Sequence, residues 1–169
     1  MIDVLLVLNL GVIGYRKHAG KIISFLEKNS ECKINYIYHP TKSLDDRFTN
    51  SFSNLYDCDA VIIASPNSTH YNFIEKLAEN FNGYIFCEKP PGMNLSEVFA
   101  MKEAMLKSGC KLMFGFNHRH HQSIIKAKEE MDSGKFGEIL WMRGRYGKEV
   151  DDTYKDSWRC NKELNGGGI

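Results

Sequence analysis

Between residues 2 and 116 the chain alternates short β-branched or apolar runs with segments whose apolar residues return every three or four positions. Residues 2–8 are almost continuously apolar, as in a strand covered on both faces. Over residues 15–28, Ala19, Ile22, Ile23 and Leu26 make one helical stripe. Residues 33–38 and 60–64 read as further strands, the second followed by a helix with Ile74, Leu77, Ala78 and Phe81 on one face. Residues 84–87 give the next strand. Asn94 with Glu97 three residues later forms a capping box that opens another helix, and Gly109 stops it. A last strand covers residues 111–116. Strands separated by helices of this length need crossovers, and crossovers of one hand lay strands side by side in one direction. The expected fold class is α/β, with a doubly wound parallel sheet.

The pattern changes at Asn117. The spacing predicts a helix over residues 123–133 ending at Gly134, a strand of mixed polarity over 138–146, and a polar loop over 151–158. Beyond these lie Gly166, Gly167, Gly168 and Ile169, and a glycine triplet before one apolar residue gives the last segment nothing to pack. We expect residues 1–118 to form one domain and residues 119–169 to be the incomplete start of a second, α+β domain. Bare strand edges in such an unfinished sheet are prone to pairing, so association into a homo-oligomer is an expectation.

Composition removes several classes of function. With 22 basic and 21 acidic residues there is no excess charge to neutralise a phosphate backbone, so no nucleic-acid partner is expected. The apolar run at residues 4–8 is far too short to span a bilayer, so no membrane partner is expected either. The five cysteines, at 32, 58, 87, 110 and 160, are widely spaced and never form a Cys-x-x-Cys pair. That spacing argues against a disulfide framework and for reduced thiols in a cytoplasm. His118, His120 and His121 lie close together but lack Asp or Cys partners at ligand spacing, so no metal site is expected.

Three segments carry candidate chemistry. Asn9, Gly11, Val12, Ile13 and Gly14 follow the first predicted strand and precede the first helix. A dinucleotide site needs glycine in such a turn, so that backbone can approach a pyrophosphate at the helix N-terminus. Asn9 replaces the first glycine, and a tight turn without a ligand is the competing reading. At the end of the second strand, His39 stands where a carboxylate would hold the adenosine ribose of NAD, followed by Thr41 and Lys42. The missing acid and the two donors lean towards NADP over NAD, against an ordinary solvated loop.

The second segment is Ser65, Pro66, Asn67 and His70, where a strand meets its helix on the side of the sheet where ligands gather. Asn67 also suits a helix N-cap. The third is Glu88 and Lys89 before Pro90 and Pro91. A lysine at a strand's carboxyl end can orient a substrate hydroxyl and assist its proton transfer, more easily where partial burial lowers its pKa. A surface Glu-Lys pair is the competing reading. Trp141 and Tyr146 are expected to pack on a sheet face rather than to stack on bases.

In order along the chain, these segments resemble the glucose–fructose oxidoreductase, inositol dehydrogenase and MocA-like oxidoreductases, whose cofactor domain is a Rossmann fold. The resemblance extends through Asn117, His118 and Arg119, through residues 134–139, and through Trp158 and Arg159 to the glycine triplet. It implies an NAD(P)-dependent dehydrogenase acting on a sugar, cyclic polyol or nucleotide sugar. Lys89 matches the catalytic lysine and Glu88 a residue near the nicotinamide ribose. Ser65, Pro66, Asn67 and His70 match a cofactor wall, Arg119 a residue beside the nicotinamide, and Trp158 and Arg159 a segment crossing towards the cofactor. Relatives continue past the glycine triplet into a helix bearing an aspartate and a histidine. The expectation for the 169 residues alone is cofactor recognition with weak turnover or none. The rival expectation is a non-catalytic nucleotide-binding or scaffold subunit, or a decayed gene product. A flavodoxin-like regulatory domain fits less well, because no acidic phosphorylation pocket is present.

Overall fold

A computed structural model describes residues 7–145, 147, 157 and 160–165 of the chain. The order of elements is β1 (Leu8–Ile13), α1 (Lys17–Leu26), β2 (Cys32–Tyr38), β3 (Phe48–Thr49) and a 3₁₀ turn (Phe52–Asp57). There follow β4 (Ala60–Ile63), a 3₁₀ turn (Asn67–Thr69), α2 (His70–Asn80), β5 (Tyr84–Cys87), α3 (Leu95–Ser108) and β6 (Lys111–Phe114). A 3₁₀ turn (Asn117–His120), α4 (Gln122–Asp132) and α5 (Lys162–Asn165) complete the described chain. All six strands lie parallel in one sheet, in the order β3-β2-β1-β4-β5-β6. This is the doubly wound α/β sheet that the alternation of the sequence predicts.

Each face of the sheet has its own core. On one face, Ile23 of α1 packs against Leu10, Val12, Ile34, Ile37 and Ile62. On the other, Leu55, Ile74, Leu77 and Met101 from the 3₁₀ turn and from α2 and α3 cover Ile13, Val61, Ile63, Ile85 and Cys87. Ile34 and Ile37 share a face although three residues apart. The register between β1 and β2 slips at Leu10 and Gly11, leaving Asn35 as the extra residue of a bulge.

The first strand begins where the sequence reading ends it. Residues 2–6 lie outside the described residues, and Asn9, Gly11, Val12 and Ile13 belong to β1 rather than to a turn. Asn9 is tied to the amino end of the sheet, its backbone N–H donating to Asp59 Oδ2 at 2.7 Å and its side-chain oxygen accepting from Asn35 Nδ2 at 3.0 Å. Gly11 answers a packing constraint. A Cβ there would lie 2.7 Å from Leu55 Cδ2 and 3.2 Å from Cys58 Sγ.

At α3 the N-cap half of the expected capping box forms, Asn94 Oδ1 accepting from the Glu97 N–H at 2.9 Å, while the Glu97 carboxylate accepts from the Met93 N–H at 2.8 Å, one residue before the cap. Gly109 ends the helix at φ 76°. Residues 138–145 form no strand and are exposed, Leu140 at 86%. A strand needs a ladder partner, and among the described residues nothing pairs with this segment. Tyr146 and most of residues 151–158 lie outside the described residues. Among the described residues, no helix is long and apolar enough to cross a membrane.

Candidate functional site

In an open parallel sheet, ligands collect beyond the carboxyl ends of the strands where the order reverses, here between β1 and β4. Gly14 follows β1 at that point with φ 103°, and a Cβ on it would lie 2.7 Å from the Ala64 carbonyl oxygen after β4. Helix α1 starts three residues later. Arg16 stands at its N-cap, no side chain caps it, and no acidic residue lies in its first turn. The amide groups at the helix start are thus left for an anion. Ala19, fully buried, lets α1 approach the sheet closely.

Gly14, Arg16 and Ala19 therefore hold the three positions of the dinucleotide turn G-x-G-x-x-G/A. The first and third keep their small residues, and the middle one carries a guanidinium. The expected turn at residues 9–14 is corrected accordingly: Asn9, Gly11, Val12 and Ile13 are strand residues, and the turn begins at Gly14. The sequence signal for the true turn, Gly14-x-Arg16-x-x-Ala19, is overlooked when it is read one glycine too early.

The loop after β2 joins this turn. His39 Nδ1 accepts from the backbone N–H groups of Thr41 at 3.2 Å and Lys42 at 3.0 Å. Burial, then the positive charges of Lys42 and Arg16, hold the His39 imidazole below its ordinary pKa. Lys42 Nζ donates to the Tyr15 carbonyl at 3.5 Å and lies 5.4 Å from the centre of the Tyr15 ring. Arg16 and Lys42 thus place two positive charges around the His39 imidazole beside the start of α1.

The wall after β4 is built from backbone and hydroxyl bonds. Ser65 Oγ and Thr69 Oγ1 lie 2.7 Å apart, and Thr69 Oγ1 donates to the Pro66 carbonyl at 2.7 Å. Asn67 does not cap α2 as expected. It opens the 3₁₀ turn, and its Nδ2 donates to Asn165 Oδ1 at 3.1 Å, so α5 folds back onto this wall. His70 is fully buried, with Nδ1 2.8 Å from the Pro90 carbonyl and Nε2 3.1 Å from the Ser65 carbonyl. It ties the loop after β4 to the loop after β5. Both partners only accept, so a neutral ring satisfies one and an imidazolium both.

Beyond β5, Glu88 Oε1 lies 2.9 Å from Nε2 of His18 on the first turn of α1, a contact that spans the crevice. Lys89, followed by a cis bond to Pro90, is exposed rather than partly buried. It opens onto a cleft of about 710 Å³ lined also by Gly115, Phe116, Asn117, His118 and Arg119. Gly115 N–H donates to the Cys87 carbonyl at 2.8 Å and Arg119 N–H to the Phe116 carbonyl at 3.0 Å, fixing the 3₁₀ turn against β5. Contacts thus link Gly14 to Ala64, Ser65 to Pro90 and α1 to Glu88, placing the turn and Lys89 on one crevice. Trp158 and Arg159 lie outside the described residues. Tyr15, Arg16, His18 and Ala19 stand beside the candidate site and were missed by sequence reasoning.

The thiols stand apart from this chemistry. Burial pushes Cys58 up to about 11, and burial with the neighbouring Glu88 charge raises Cys87 further. Among the described residues, no group of three or more His, Cys, Asp or Glu is placed to hold a metal ion.

The fold and its crevice define an α/β domain of the dinucleotide-binding type. Residues 8–116 match the sequence profile of an oxidoreductase family with an NAD-binding Rossmann fold, the glucose–fructose oxidoreductase, inositol dehydrogenase and MocA family. That match covers well over half of the 169 residues, and the chain belongs to this family. Its similarity to the 2,7-anhydro-N-acetylneuraminate hydratase of Escherichia coli is 27% identity, over 96% of this chain and 46% of the other. A D-xylose 1-dehydrogenase [NADP(+)] of Haloarcula marismortui is 31% identical over 64% of this chain and 31% of its own length. Among solved structures, scyllo-inositol dehydrogenase of Lactobacillus casei, with bound NAD(H) and scyllo-inositol, matches the fold at TM-score 0.69. The identity there is 22%, over 79% of this chain and 43% of the other. The chain spans half or less of the length of the curated relatives it matches.

Proposed function

We propose that the chain is the cofactor-binding part of a dehydrogenase that moves hydride between NADP(H) and a sugar, cyclic polyol or nucleotide sugar. The observation that carries this reading is the uncapped, acid-free start of α1 opening from Gly14 at the switch point of the sheet. The residues suit the group: Gly14 lets the chain turn beside Ala64, the first amides of α1 face an anion, and Arg16 adds a cation. Arg16, His39, Thr41 and Lys42 form the corner for the adenosine ribose. With no carboxylate at the end of β2 and Lys42 and Arg16 beside it, a 2′-phosphate is favoured, hence NADP over NAD. Ser65, Pro66, Asn67 and His70 form the cofactor wall.

A nicotinamide dinucleotide, when bound, supplies the hydride acceptor or donor. Glu88, held by His18, orients the ribose hydroxyls. Lys89 Nζ, at the mouth of the cleft, takes the proton of the substrate hydroxyl during oxidation and returns it in the reverse direction. Arg119 lies on the substrate side of the nicotinamide. Residues from 119 onward are assigned to the start of a second domain.

Isothermal titration with NADPH and NADH tests the reading. The expected outcome is heat with both and about tenfold tighter binding of NADPH, with Arg16→Gln weakening NADPH more than NADH. Absence of heat with either cofactor ends the proposal.

A further inference from the structure

We propose that two copies of this chain associate through α3, the two helices packed antiparallel about a two-fold axis. This rests on the fold and is independent of the dehydrogenase reading. Helix α3 is apolar on two sides. On its inner side, Val98, Met101 and Met105 pack into the core with Ile85, Leu112 and Phe114. Its outer side carries Leu95, Phe99 and Leu106, exposed at 74%, 63% and 70%. A surface helix ordinarily turns polar residues outward, and one that is apolar on both sides has a second face to bury.

The spacing on the outer side specifies the occupant. Leu95, Phe99, Lys102 and Leu106 follow one another at intervals of four, three and four positions, the seam of a coiled coil. Lys102, also exposed, is the one charged member of that seam. Parallel packing aligns every position with its own copy, which sets Lys102 against Lys102 and opposes two like charges. Antiparallel packing centred between Ala100 and Met101 sets Leu95 against Leu106 at both ends and Phe99 against Lys102 in both middle layers. Each ammonium then meets the electron-rich face of a ring, and its aliphatic stem covers apolar surface. The match is reciprocal, as a two-fold contact between identical surfaces requires, and the opposed helix dipoles favour the same direction. The area sets the strength. With 14 residues, α3 is about 21 Å long, so one helix pair buries less than the roughly 800 Å² per copy of a standard interface. The dimer is therefore weak, with a Kd on the order of 100 μM.

Sedimentation equilibrium of the full 169-residue chain, from about 10 μM to about 1 mM, tests the inference. The expected result is a monomer–dimer equilibrium with no larger species. Lys102→Glu and Leu106→Gln each weaken it about tenfold at an unchanged melting temperature, because both side chains are exposed. Phe99→Lys alone opposes two cations in each middle layer and also weakens association. Combining Phe99→Lys with Lys102→Glu restores it, since each new ammonium then faces a carboxylate of the other copy. A chain that stays monomeric throughout the range overturns the inference. So does association that Lys102→Glu and Leu106→Gln leave unchanged, or that grows beyond the dimer as pairing of bare strand edges would. A double variant no tighter than Phe99→Lys alone overturns it as well.

Discussion

Gly11 and Gly14 are three positions apart and answer different demands. Gly11 sits inside β1 because any side chain would strike Leu55, whereas Gly14 carries a positive φ and turns the chain beside Ala64. Gly11→Ala is expected to cost about 1–3 kcal/mol of stability through overpacking, while the folded fraction keeps its cofactor affinity. Gly14→Ala places a Cβ where φ is 103° and should lose both stability and NADPH binding. Thermal unfolding and titration on the two variants separate these outcomes. His39 carries a pH dependence of definite sign. Its folded pKa lies below the ordinary value of 6.5, so near that pH the unfolded chain binds more protons than the folded one. Stability is therefore expected to fall as pH drops through 6.5 towards the lowered value. The melting temperature of the wild type should decline more steeply over that range than that of His39→Asn, and equal slopes would show that His39 contributes nothing.

At the level of elements, legibility followed the strength of local signals. Helices α2 and α3 and strands β4 to β6 are plain in the sequence, because apolar stripes, a capping box and Gly109 all point the same way. Strand β1 is not plain, since Asn9 and Gly11 interrupt it while residues 2–8 offer a smoother apolar run. Gly11 looks like turn chemistry when only its neighbours in sequence are visible, and the reason for it, Leu55, is 44 positions away. The same displacement hid Arg16, a turn residue masked by the absence of a second glycine. Asn67 misled in another way: an N-cap residue type found a partner in Asn165, 98 positions on. Residues 138–145 have the composition of a strand and, among the described residues, no neighbour to make them one, which local pattern cannot reveal. The candidate site was legible in outline, as loops at strand ends, but not in register.

Across the whole molecule, the crevice is closed by a few long-range contacts rather than by one continuous element. His70 is the central one, joining the loops after β4 and β5 through two carbonyls. His70→Ala should cost about 2–4 kcal/mol, from a buried void and the loss of the ring's link between the two loops. NADPH binding should weaken along with the melting temperature, and a variant unchanged in both would show that the loops hold their places without it. The order of the strands has a further consequence for biosynthesis. β1 lies between β2 and β4, so the middle of the sheet draws on segments some fifty residues apart. A nascent chain that has left the ribosome as far as Thr49 holds three strands with one side of its innermost strand bare. The stretch of translation before β4 emerges is therefore when this polypeptide has most need of a chaperone.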